Sequence, residues 1–94
     1  MDYIAIIHKD PDSDFGVSFP DFPGCITAGR TLDEAKEMAR EALSGHIALM
    51  REAGEPLPEP STFDQVMSDP QFRDGTAFLV ELEQPAKTVR VKSR

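Results

Sequence analysis

The run Phe19-Pro20-Asp21-Phe22-Pro23-Gly24-Cys25 constrains the fold of this chain more than any other feature. Each proline locks φ near −65° and lacks a backbone N–H, so this stretch fits neither a helix interior nor a central strand. Pro23-Gly24 suits the two central positions of a type II turn, where the second residue needs a positive φ. The chain therefore has to reverse direction here through a rigid corner that carries two aromatic side chains.

The flanking segments say what the corner joins. Tyr3 to His8 is rich in β-branched and aromatic residues and reads as a strand that ends in the turn chemistry of Lys9-Asp10-Pro11-Asp12-Ser13-Asp14. Phe15-Gly16-Val17-Ser18-Phe19 alternates between large apolar and small residues, the pattern of a half-buried second strand. Cys25 to Ala28 gives a short third strand, broken at Gly29, and the three form an antiparallel meander.

A helix follows. Thr31 is placed as its N-cap with Glu34 three residues on, and Asp33 and Glu34 favour the positive end of the helix dipole. Ala35, Met38, Ala39, Ala42, Leu43, Leu49 and Met50 make an apolar stripe, and Gly54 with Pro56 closes the helix after about 22 residues, roughly 33 Å. Residues 55–62 form a proline-spaced connector that returns the chain along the domain. Ser61 or Thr62 then caps a short helix over Phe63 to Met67. Thr76 to Glu83 reads as a last strand, partly apolar on both faces and hence expected in the middle of the sheet or packed on both sides.

With 94 residues, one domain is expected, small enough that self-association or a partner contributes to its stability. A composition of 39% hydrophobic and 29% charged residues is globular. No run approaches the ~20 apolar residues of a transmembrane helix, and the acidic start does not read as a signal peptide. The single cysteine, Cys25, rules out an internal disulfide and points to a reducing, cytoplasmic setting. The net charge of −7 is unevenly spread. All 17 acidic side chains and six of the ten basic ones lie in residues 1–86, whereas Lys87, Arg90, Lys92 and Arg94 stand in a tail without acids. The acidic body suits a basic partner, and the tail suits phosphate, with Arg90, Lys92 and Arg94 as the candidate nucleic-acid contacts.

Motifs that would carry chemistry are poor. Asp10, Asp12, Asp14 and Asp21 imitate a calcium loop, but Phe15 stands where glycine is needed and strands flank it, so an acidic hairpin turn is the better reading. Cys25 as a nucleophile lacks a motif that would orient His8 or His46 as its base. There is no phosphate-binding glycine loop and no zinc-type spacing, so neither a metal nor any other cofactor is expected. Phe19 reads as core, while Phe22 serves equally well as a core plug or as an aromatic anchor displayed to a partner.

These residues together resemble the HicB-like antitoxins of HicA–HicB toxin-antitoxin modules. The resemblance rests on Tyr3 to Ile7, Gly16 to Phe19, the corner from Phe19 to Cys25, Thr31 to Ala35, Ala42 with Leu43, and Gly54 to Ser61. It implies an α+β fold, a β-β-β-α-β partial ribonuclease H-like domain whose antiparallel sheet carries one long helix and performs no catalysis. In the family such a domain covers a small basic RNA-cleaving toxin. A HicA-like toxin is therefore the expected partner, with Asp21, Phe22, Pro23 and Gly24 as its candidate contacts, and a homo-oligomer is the expected state. The domain is expected to span residues 1–83, with residues 84–94 a basic strand or tail. That tail looks like the opening of a ribbon-helix-helix domain without its helices, so either the chain is a fragment or the tail is an addition. Operator DNA is expected as a partner only through the tail or a missing C-terminal domain. Two other functions fit less of the chain: an orphan oligomeric regulatory domain, and a metal-dependent ribonuclease H-like hydrolase using Asp21 with other carboxylates.

Overall fold

The computed structural model describes residues 1–82. Its elements run β1 (Asp2–Lys9), β2 (Phe15–Ser18), β3 (Ile26–Gly29), α1 (Leu32–Glu52), α2 (Phe63–Met67) and β4 (Thr76–Glu81). The four strands form one sheet in the order β3-β2-β1-β4. Every pairing is antiparallel, so the first three strands are the expected meander.

The last strand is packed on both sides rather than central: β4 lies at the edge of the sheet, with Val80 in the main core and Ala77 against the second cluster, and β1 takes the inner place beside it. The reason is that β1 is buried on both faces. Tyr3, Ala5 and Ile7 face the main core under α1, while Ile4 and Ile6 pack with Val66 on the opposite side. The two apolar faces of β4 have different fates, because Val80 joins the main core whereas Leu79 is 64% exposed.

Helix α1 begins where the sequence signals it, with the Thr31 side chain accepting from the Glu34 N–H at 3.0 Å. It ends in a Schellman arrangement: Gly54, at φ 74°, donates to the Arg51 carbonyl at 3.1 Å and Glu55 to that of Met50 at 2.9 Å. The buried ridge is Ala35, Ala39, Leu43 and Ile47, each four residues after the last. Leu49, expected in that stripe, is instead 67% exposed. It lies two residues, or about 200° of rotation, beyond Ile47 and so points away from the sheet.

Gly29 lets α1 start this close to β3. A Cβ there would lie 2.4 Å from the Ala35 nitrogen and 2.7 Å from its Cα, a backbone clash that no rotamer relieves. Helix α2 carries a capping box, Thr62 with Gln65, and sets Val66 against Ile4 and Ile6. The sheet is thus covered by α1 over the core of one face, with Thr76 left exposed, and partly covered by α2 on the other.

Candidate protein-binding surface

The corner between β2 and β3 is two consecutive turns. Phe22 N–H donates to the Phe19 carbonyl at 3.0 Å, with Pro20 at the second position, and Cys25 N–H donates to the Phe22 carbonyl at 3.0 Å. Gly24 has φ 91°, as the type II reading of Pro23-Gly24 requires.

The corner is braced from inside. The Phe22 ring points down and is 2% exposed, edge-on to the Tyr3 ring at 4.7 Å between centroids and to the His46 ring at 5.6 Å. It is therefore a core plug, and its candidacy as a displayed contact is corrected: a ring sealed between β1 and α1 has no face left for a partner. Asp21 is half-buried and accepts two hydrogen bonds from Ser61, from its N–H at 2.9 Å and from its hydroxyl at 2.5 Å. Tyr3 adds a second tie by donating its hydroxyl to the Pro58 carbonyl at 2.6 Å. The proline connector is thereby strapped across the corner, and of the four sequence candidates only Pro23 and Gly24 reach the surface as exposed residues.

Burial pushes the Cys25 thiol above its ordinary pKa, and its Sγ lies 3.7 Å from the Ala42 carbonyl. A buried neutral thiol is a weak nucleophile. His8 is exposed at the end of β1, and His46 is partly buried against Phe22. The acidic turn after β1 is closed by Ser13, whose hydroxyl accepts from the Asp10 N–H at 2.9 Å. Among the described residues no three His, Cys, Asp or Glu side chains converge on a point that would hold a metal ion.

The surface is anionic. Only two ion pairs form among the described residues, Arg30 with Glu34 at 3.7 Å and Arg40 with Glu37 at 3.3 Å, both exposed. Such pairs contribute about 0–1 kcal/mol and leave most of the acidic side chains facing water. Arg90, Lys92 and Arg94 lie outside the described residues, as does the whole 84–94 segment.

Sequence reasoning did not find Ser61 as the partner of Asp21, since the two are 40 residues apart and nothing local links them. It also missed Phe63 and Leu79, large apolar side chains left 58% and 64% exposed. Apolar pattern alone marks these two as core, so no sequence signal separates them from buried positions.

The chain is thus a small α+β domain with a four-stranded antiparallel sheet, one long helix, a braced proline corner and an acidic surface. Residues 3–93 match the HicB-like antitoxins of bacterial toxin-antitoxin systems, and the chain belongs to that family. It is 40% identical over 83 residues to an uncharacterised 14.9 kDa protein from the rep-hol intergenic region of Haemophilus phage HP1, covering 88% of this chain. The chain spans 62% of the length of that phage protein. The fold is similar to that of the Burkholderia pseudomallei antitoxin HicB, with a TM-score of 0.82 at 31% identity over 100% of this chain and 74% of the other. It is also similar to a chain of the HicA3–HicB3 toxin-antitoxin complex, with a TM-score of 0.73 at 32% identity over 89% of this chain and 100% of that one.

Proposed function

We propose that this chain is the antitoxin of a type II toxin-antitoxin pair and neutralises a small basic RNA-cleaving toxin of the HicA kind by lying over it. The observation that carries the reading is the likeness, in sequence and in fold, to a chain that stands in a HicA3–HicB3 complex. The charge agrees, because a scaffold with a net −7 steers a basic partner into contact and repels RNA. Inhibition is steric and electrostatic, with no bond made or broken by the antitoxin. The convergent carboxylates that metal-dependent hydrolysis requires are not found among the described residues, which favours this reading over a ribonuclease H-like hydrolase.

We read the fold as a partial ribonuclease H-like domain put to binding use, and the β-β-β-α order continued by β4 supports that reading. At the proline corner Pro23 and Gly24 form the rigid apex that meets the partner, with Asp21 and Phe22 holding it from below. The setting is cytoplasmic, where the toxin's RNA is; among the described residues no helix is long and apolar enough to cross a membrane. Self-association belongs to the same proposal, as does contact with operator DNA through Arg90, Lys92 and Arg94 of the basic 84–94 segment or through a further DNA-binding domain.

The test is to purify the small basic protein encoded beside this chain and follow cleavage of an RNA substrate with increasing antitoxin. Cleavage is expected to stop near equimolar antitoxin. Undiminished cleavage at a several-fold excess would end the antitoxin reading.

A further inference from the structure

Among the described residues no strand pairs with the outer edge of β4. Sheet edges are commonly blunted by lysine, proline or a bulge, yet Thr76-Ala77-Phe78-Leu79-Val80-Glu81 has none of these residues and pairs with β1 in unbroken register. On the face turned away from α1, Leu79 and Phe63 are 64% and 58% exposed. With Ile4 beneath them they line an open slot of about 200 Å³.

On the face that carries this slot the charged neighbours on β1, β4 and α2 are acidic, while Lys36 and Arg40 of α1 line the pocket on the other side of β4. Asp2 and Glu81 are direct cross-strand partners, like charges set opposite each other, and Asp64 follows Phe63 in the first turn of α2. Among the described residues none of the three is in an ion pair. In the isolated chain the apolar floor and the paired carboxylates are both unfavourable, and one kind of occupant relieves both.

We infer that this slot is the docking site of a cationic amphipathic segment of the partner protein. An apolar side chain of that segment fills the space between Leu79 and Phe63. Its Lys or Arg side chains meet Asp2 and Glu81, and its backbone is free to extend the sheet along β4. A second copy of this chain would bring the same acidic body, 17 acidic against six basic side chains within residues 1–86, so charge favours a basic protein over self-pairing. The inference rests on the antitoxin reading and gives it a location beyond the Pro23-Gly24 apex.

The experiment compares the full-length chain with Leu79→Ser, Glu81→Lys and, as a matched control on α1, Leu49→Ser, which alters an equally exposed leucine at 67%. Affinity for the neighbouring toxin is measured by calorimetry, folding by thermal melting, and the particle mass of the free antitoxin by sedimentation. Leu79→Ser and Glu81→Lys are expected to weaken binding about ten-fold or more, with Leu49→Ser unchanged, Leu79→Ser melting like the wild type and Glu81→Lys melting at or slightly above it. If the wild type itself does not bind, the antitoxin reading falls and takes the slot with it. If the wild type binds and both slot variants bind equally well, only the slot assignment is overturned. A lowered particle mass for Leu79→Ser with unchanged toxin affinity would give the edge to a second copy and overturn it as well.

Discussion

Replacing Phe22 by alanine separates a structural corner from a displayed one. The ring is 2% exposed and sits edge-on to both Tyr3 and His46. Truncating such a phenylalanine costs about 3–5 kcal/mol from lost transfer energy and the cavity left behind. Aromatic edge contacts add about 0.5–1.5 kcal/mol per pair, which places Phe22→Ala toward the upper half of that range. A domain of this length has a total stability of about 5–14 kcal/mol at roughly 0.05–0.15 kcal/mol per residue, so the change removes about a quarter of it or more. At about 4–8 °C per kcal/mol for a chain of this size, a loss of about 4 kcal/mol lowers Tm by about 15–30 °C. Urea unfolding followed by circular dichroism should show a lower midpoint with an unchanged slope, and Phe22→Leu a smaller shift in the same direction. Toxin affinity measured in the cold, where Phe22→Leu stays folded, should match the wild type. A loss below about 1 kcal/mol for Phe22→Ala, or a stable variant that no longer binds toxin, would refute the reasoning and return the ring to the interface.

Other consequences follow from the packing around the corner. Gly29→Ala drives a Cβ to 2.4 Å from the Ala35 backbone and should destabilise by about 1–3 kcal/mol, whereas Gly45→Ala, with nothing within 4 Å of its Cβ, should stabilise α1 by about 1 kcal/mol. Thermal melts of the two variants should therefore move in opposite directions. Asp21→Ala breaks both hydrogen bonds from Ser61 and should cost about 2 kcal/mol, read as a lower urea midpoint and faster proteolysis within residues 55–62. Burial, then the charges of Asp21 and Glu59, raise the Tyr3 pKa above its ordinary 10.0, with Arg51 opposing. The native state therefore keeps a proton that the unfolded chain releases, so this contribution is complete below pH 10.0 and declines as pH rises through the higher native value. Urea midpoints measured from pH 8 to 11 should fall less steeply in Tyr3→Phe than in the wild type.

Much of the local structure was legible because its causes are local. The Thr31 cap, the Gly54 stop, the Thr62-capped α2 and the Pro23-Gly24 turn each depend on residues a few positions apart, and each stands where its signal lies. The meander was legible for a related reason, since short turns between alternating strands force neighbours to pair. The family was legible as well, because the order of corner, capped helix and proline connector is carried by the residues themselves.

What the amino-acid sequence determined by itself is therefore the set of elements, their order and the charge of the body they form. Tertiary structure alone decided which apolar residues are covered. Val80 and Leu79 are adjacent and both apolar, yet one is 5% exposed and the other 64%, because Val80 faces the core under α1 while Leu79 faces the side where α2, five residues long, leaves an open slot beside Phe63. The same holds at the corner, where the tie from Asp21 to Ser61 joins residues 40 positions apart and the Phe22 ring is buried against Tyr3 and His46. Burial is a property of what lies opposite in space, and that partner is set by the packing of the whole chain.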